Sequence, residues 1–272
     1  MSFKQKLENI TFKNNSLLCI GLDTDLEKMP RHLLKQKDSV FVFNKTIIDH
    51  TFDLVCAYKL NSAFYEAYGE KTLVSLKKTI EYLKTQYSEI PIILDAKRAD
   101  IANTSNMYAK AVFDYFRADA VTVFPYLGLD AIKPFIEYKD KLTVILIKTS
   151  NPDSGMFQDL KIASSKEPLY LTIAKEIKNW NFPNIGLFVG ARYPEELKNV
   201  RHIFPESIIL TAGIGAQKAI IKKTIKSGAD NNGINLICNN SREIIYASCD
   251  KNFYKKSREK AQNLKDLINT FR

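Results

Sequence analysis

Asp95-Ala96-Lys97-Arg98-Ala99-Asp100 is the stretch of this 272-residue chain best suited to chemistry. It follows the apolar run Pro91-Ile92-Ile93-Leu94 and precedes a helical pattern. If the apolar run is a strand, alternation sends Asp95 and Lys97 to one side, with Cα atoms roughly 6.5–7 Å apart. Asp100 then falls at the start of the next helix. Two carboxylates around one ammonium at the end of a buried strand are costly to take out of water. Such groupings concentrate where a reaction needs them. Lys59 lies two residues before Asn61 on another apolar run, and belongs beside Asp95 if the two strands are neighbours. Lys59, Asp95, Lys97 and Asp100 would then alternate in sign, and each charge would keep its neighbours ionised. At about 4 Å and an effective dielectric near 20, one such attraction is worth roughly 4 kcal/mol.

That pattern suits the loss of an anionic group from carbon. A substrate carboxylate placed against Asp95 is repelled. The carbanion left behind is stabilised by Lys97, which then protonates it. The result is a decarboxylation that needs no metal and no electron-sink cofactor. Asp100 and Thr104, at i and i+4, share a helix face, and Asp100 is also a candidate N-cap.

The elements that must position these residues are legible as apolar runs separated by helical periods. Residues 16–23, 55–61, 90–97, 120–124, 142–149, 185–190, 207–212 and 234–239 read as eight strands. Most are apolar nearly throughout, as parallel strands covered on both faces should be. Helical spacing follows the third strand (Ile101, Thr104, Tyr108, Ala111, Val112, Tyr115), the fifth (Leu169, Ile173, Ala174, Ile177), the sixth (Leu197, Val200, Ile203) and the seventh (Ile220, Ile221, Ile225). Residues 253–271 close the chain as a helix, and residues 2–10 form a short one across the barrel bottom. The alternation predicts an α/β protein, a single (β/α)8 TIM barrel over residues 1–272. A doubly wound sheet is the alternative fold.

Barrel enzymes of this class place chemistry at the C-terminal ends of the strands. Polar residues gather at those ends here: Asp23, Lys59 with Asn61, Asp95 with Lys97, Lys148-Thr149-Ser150-Asn151-Pro152, Ala212-Gly213-Ile214-Gly215-Ala216-Gln217, and Asn239-Asn240-Ser241-Arg242. The glycines after the seventh strand, Gly215 among them, let backbone N–H groups approach a phosphate, and Arg242 after the eighth supplies a bidentate clamp. Residues 148–155, rich in hydroxyl and amide groups, suit the edge of a heterocycle.

Composition narrows the field. Lys plus Arg is 40 against 30 for Asp plus Glu, a formal charge of +10 that suits an anionic ligand or nucleic acid. The basic residues are spread along the chain, and aromatic residues do not interleave with Arg as a base-stacking surface requires, so no nucleic-acid partner is expected. The densest basic cluster, residues 251–265, reads as a solvated helix face. No apolar run approaches the roughly 20 residues of a membrane span. The N-terminal residues carry no signal-peptide pattern, which predicts a cytoplasmic location. Cys19, Cys56, Cys238 and Cys249 form no C-x-x-C pair and read as reduced core or near-core thiols. His32, His50 and His202 fall away from the strand ends, so no metal site is expected. Neither a serine nucleophile elbow nor a dinucleotide-binding glycine fingerprint is present.

Taken together, Cys19-Ile20-Gly21-Leu22-Asp23, Tyr58-Lys59-Leu60-Asn61-Ser62-Ala63-Phe64-Tyr65, Leu94-Asp95-Ala96-Lys97-Arg98-Ala99-Asp100-Ile101, Lys148-Thr149-Ser150-Asn151-Pro152-Asp153-Ser154 and Gly213-Ile214-Gly215-Ala216-Gln217 resemble the orotidine 5′-phosphate decarboxylase family. The likeness is to the subgroup with Lys-Arg in the third-strand motif. It implies a homodimeric, cofactor-free enzyme giving UMP and CO2. Lys97 would donate the proton to C6 of the pyrimidine, and Asp95 would face the departing carboxylate. Lys59 would join the charged network and touch the ribose. Asp23 and Asn61 would hold ribose hydroxyls, and Ser150 the pyrimidine amide. Gln217 and Arg242 would hold the phosphate, on or beside a loop that closes over the substrate. Asp100, Ile101 and Thr104 would reach into the neighbouring subunit's site. The family commonly reads Pro-Gly-Ile-Gly-Ala-Gln-Gly-Gly-Asp at the phosphate loop. This chain has Ala212 for the proline and Lys218-Ala219-Ile220 after Gln217.

Two rivals predict different behaviour. A related barrel enzyme acting on a sugar phosphate would recruit Mg²⁺ and lose activity in EDTA. A glutamate at the first or second strand end would favour it, whereas Asp23 and Lys59 stand there. A non-catalytic basic binding protein would bind nucleic acid with a steep salt dependence and show no turnover.

Overall fold

Among the described residues, eight parallel strands close into a barrel in simple sequence order in the computed structural model. The structure describes residues 1–215 and 217–272, and Ala216 of the glycine loop lies outside them. The strands are β1 (Leu18–Gly21), β2 (Ala57–Asn61), β3 (Ile92–Arg98), β4 (Ala120–Val123), β5 (Leu142–Lys148), β6 (Ile185–Val189), β7 (Ile209–Ala212) and β8 (Leu236–Asn240). Each falls within its predicted run, except that β3 and β8 continue one residue further. Their side chains are buried almost without exception, because the barrel interior takes one face and the helices the other.

The surrounding helices are α1 (Phe3–Lys13), α2 (Ser39–Asp49), α3 (Glu70–Gln86), α4 (Ala102–Lys110), α5 (Leu129–Ile136), α6 (Leu169–Asn179), α7 (Pro194–Ile203), α8 (Lys218–Gly228) and α9 (Phe253–Asn269). α1 starts in a capping box, in which Ser2 and Gln5 satisfy each other's backbone N–H groups. It crosses the end of the barrel opposite the polar strand ends, where Phe3 N–H donates to the Asp140 carbonyl. α4 begins one residue later than the charges suggest. Its N-cap is Ile101, so Asp100 precedes the helix and does not cap it. The Asp100 carboxylate accepts the Ile101 N–H at 2.7 Å instead. The cysteine expectation also needs one correction. Cys19, Cys56 and Cys238 are buried free thiols, but Cys249 is exposed. Among the described residues no helix is long and apolar enough to cross a membrane.

Asp119, just before β4, ties the barrel bottom together. It accepts from Lys6 at 2.8 Å, from Lys84 and from the Ile92 N–H at 3.0 Å. Burial raises its carboxyl, but Lys6 and Lys84 outweigh that and hold it below the ordinary carboxylate value. A depressed folded value means stability that is present above the unfolded value near 4 and lost as pH falls through the folded one. Asp119→Ala leaves buried donors without acceptors and should cost about 2–4 kcal/mol in urea unfolding. It should leave kcat nearly unchanged, because it lies at the far end from the polar strand ends. A loss below about 1 kcal/mol would contradict this account of the bottom.

Candidate active site

Strand register brings the charged residues together. Gly21 pairs with Lys59, and Asn61 with Asp95, so the ends of β1, β2 and β3 lie level at one mouth of the barrel. Lys59 is only 3% exposed, and its Nζ lies 3.0 Å from Asp23 Oδ1 and 3.3 Å from Asp95 Oδ2. Lys97 Nζ lies 2.7 Å from Asp95 Oδ1. The order is Asp23, Lys59, Asp95, Lys97, alternating in sign throughout. Burial alone would raise the Asp95 carboxyl. The Lys59 and Lys97 ammonium groups, with hydrogen bonds from Lys97 and Thr122, overcome it and pull the carboxyl down to about 2. Burial likewise favours neutral Lys59, yet Asp23 and Asp95 hold its ammonium above the ordinary lysine value. Lys59 and Asp95 therefore stay ionised across the neutral range.

Two features of this network depart from the sequence expectation. Within one chain the second carboxylate is Asp23, and Asp100 is not brought to the network. Asp100, Ile101 and Thr104 do not line the cavity, and Ile101 is 65% exposed. The charges in the third-strand motif are therefore not all aimed at one point: Asp95 and Lys97 turn inward, while Asp100 sits beyond the strand, where the chain turns into α4. The second departure concerns Lys97, whose φ of +47° is in the left-handed region that non-glycine residues rarely adopt. Leu94 pairs with Val121 and Arg98 with Val123, so Asp95, Ala96 and Lys97 all stand opposite Thr122. A bulge of this kind re-aims side chains.

The mouth encloses a cavity of about 600 Å³, within the usual range for a small-molecule site. Asp23, Lys59, Asp95 and Lys97 form one wall, and Leu146, Phe188 and Ala212 contribute apolar surface. Asn61 and Ser150 also line it, and the Asn61 side chain accepts the Ala63 N–H at 3.2 Å. Gly190 lets β6 approach this region closely, since a Cβ there would sit 2.9 Å from Ser150 Cα. Gln158 lines the cavity and pairs with Thr149 through two hydrogen bonds, which folds the loop after β5 back on itself. Beneath that loop, fully buried Lys148 reaches Asp159 at 2.6 Å and lies over the Tyr193 ring.

Gly213, Gly215 and Arg242 also border the cavity. Gly213 has φ +86°, a conformation the turn after β7 can take only at low cost with glycine. Asn240 donates to the Ile214 carbonyl at 2.5 Å and to Glu243 at 3.0 Å, fixing this turn to β8. Gln217 is exposed at the N-cap of α8 and does not line the cavity. Lys218-Ala219-Ile220 form the first turn of α8 directly after it. Among the described residues no three His, Cys, Asp or Glu converge as a metal site. A cation at Asp23 or Asp95 would have to compete with the Lys59 ammonium.

Sequence reasoning missed Thr122, Phe124, Leu146, Gln158, Phe188 and Glu243 as cavity residues, whereas Asn239 was among the polar strand-end residues it named. Thr122 and Phe188 were readable in principle, from the inward phase of their strands. Gln158 was not, because its place depends on how the loop folds.

Comparisons with known proteins agree with this geometry. The model of the orotidine 5′-phosphate decarboxylase / HUMPS family matches residues 16–256. The chain is 45% identical to orotidine 5′-phosphate decarboxylase of Christiangramia forsetii, covering 97% of this chain and 96% of that one. It is 44% identical to the enzyme of that name from Cellvibrio japonicus, over the whole of both chains. The fold superposes on the structure of Leishmania donovani OMP decarboxylase with a TM-score of 0.86 and 33% identity, covering 100% of this chain and 99% of the other. By sequence over nearly its whole length, and by a barrel with charged residues gathered at one mouth, the chain belongs to the orotidine 5′-phosphate decarboxylase family.

Proposed function

We propose that the chain converts orotidine 5′-phosphate to UMP and CO2 without a cofactor, as a carboxy-lyase of pyrimidine biosynthesis. The observation that carries this reading is Asp95, held ionised between the Lys59 and Lys97 ammonium groups beside a nucleotide-sized cavity. The phosphate sits against the Gly213–Gly215 turn and Arg242, with Gln217 closing on it. Asp23, Lys59 and Asn61 take the ribose, and Ser150 reads the pyrimidine amide. The substrate carboxylate then faces Asp95, whose charge repels it. The bond from C6 to the carboxylate carbon breaks and its electron pair stays at C6. Lys97 Nζ stabilises that pair and transfers a proton to it, CO2 leaves, and water reprotonates the amine. Leu146 and Phe188 keep water from the reacting carbon, which strengthens every charge interaction there.

The same proposal includes a homodimer. Asp100, Ile101 and Thr104 are turned away from their own cavity, and apolar Ile101, Met107, Tyr126, Leu127, Met156 and Phe157 are exposed on the segments following β3, β4 and β5. A second copy would cover these side chains and receive Asp100 and Thr104 at its site. Three buried free thiols are consistent with a reducing cytoplasm as the place of action.

The test is incubation with orotidine 5′-phosphate in EDTA while the orotate absorbance is followed. Its loss is expected, and no turnover with or without added Mg²⁺ would reject the reading. Arg242→Ala removes a charge-assisted phosphate contact worth about 1.5–3 kcal/mol, so KM should rise roughly 10- to 150-fold with a smaller change in kcat. An unchanged KM would count against the phosphate position.

A further inference from the structure

Thr122 on β4 belongs to no binding role given above, yet it touches both working parts of the network. It is 1% exposed at the cavity wall. Its Oγ1 lies 2.7 Å from Asp95 Oδ1 and 3.0 Å from the Lys97 backbone nitrogen. The direction of these bonds is fixed by chemistry. The Lys97 N–H can only donate, so Oγ1 accepts there. Asp95 is a carboxylate, so the single hydroxyl proton goes to Oδ1. The same Oδ1 takes the Lys97 ammonium at 2.7 Å. Thr122, the Lys97 backbone and the Lys97 ammonium thus form a closed loop through one carboxylate oxygen. The loop sits where β3 and β4 lose register and Lys97 turns left-handed.

We infer that Thr122 is a positioning residue for the decarboxylation: its hydroxyl holds the Lys97 turn and the Asp95 carboxylate in one geometry before substrate arrives. The inference rests on the function proposed above. Thr122 touches no reacting atom and acts through Lys97 and Asp95. Misplacement of a catalytic group by about 1 Å costs on the order of 100-fold in rate. The phosphate and ribose contacts lie on β2 and on the segments after β1, β7 and β8, so the effect should fall on kcat and not on KM.

Thr122→Val, which keeps shape and loses the hydroxyl, should lower kcat about 30- to 100-fold with KM changed less than about threefold. Thr122→Ser should restore kcat to within about fivefold of wild type. Amide exchange at Lys97 should accelerate at least about tenfold in the valine variant, while the amides of Ile92, Ile93 and Leu94 change little. If the valine variant does not fold, Thr122→Ala is measured in its place. A folded valine or alanine variant with wild-type kcat, or a serine variant as slow as valine, would overturn the inference while leaving the proposed reaction intact. Wild-type protein without turnover would sink both, and unaltered Lys97 exchange would by itself rule out the backbone half.

Discussion

Lys97→Ala is expected to reduce turnover by about four to seven orders of magnitude while leaving the barrel folded. The size follows from what one ammonium contributes. As a proton donor it supplies about 10²- to 10⁴-fold, and as a preorganised charge beside the developing carbanion about 10²- to 10³-fold more. These act at the same step, so they multiply. The fold should tolerate the change. The Lys97 side chain is 40% exposed, and its ion pair with Asp95 is open to solvent on one side. A pair of that kind contributes about 0–1 kcal/mol to stability. Asp95 keeps Lys59 and Thr122 as partners and is not left a bare buried charge. Single-turnover absorbance with a calorimetric Tm decides the matter. A kcat within tenfold of wild type would remove Lys97 from the mechanism. A Tm lowered by tens of degrees would show that the lysine is structural.

The barrel was readable because its strands are apolar on both faces, and because polar residues accumulate where those strands end. Three helices were harder. α2, α3 and α5 follow Asp38, Gly69 and Gly128, each at positive φ and without a capping side-chain bond, so these residues, which can equally mark turns, did not single out a helix start. At the site, residue types were more informative than directions. Asp95 pairs regularly with Asn61 on β2, and strand alternation described it well. Lys97 reaches the cavity through a bulge and a left-handed turn, and nothing in its neighbours, with no glycine nearby, announces that conformation. Thr122 was passed over because threonine is an ordinary strand residue whose hydroxyl gains meaning only from what stands opposite. Asp100 was grouped with the charges nearest in sequence, but the turn into α4 carries it away from them within its own chain, where Asp23, far off in sequence, pairs with Lys59.

That displacement of Asp100 leads to the second large effect. If its carboxylate serves the neighbouring subunit's site, each active site of the dimer draws on two chains. Asp100→Ala and Lys97→Ala homodimers should then both be nearly inactive, each for want of one group at every site. In a hybrid dimer, two-fold symmetry puts both lesions in one site and leaves the other complete. Random exchange makes about half the dimers hybrids, so the mixture should recover about a quarter of wild-type turnover. The rise, from under about 1% to near 25%, requires no change in fold or concentration. Differently tagged subunits verify exchange, and turnover of the purified hybrid gives the result directly. A hybrid as inactive as its parents would confine each site to a single chain. Among the described residues, the Asp100 carboxylate would then keep its hydrogen bond from the Ile101 N–H at the entry to α4, next to the backbone bonds of Asp100 with Ser105.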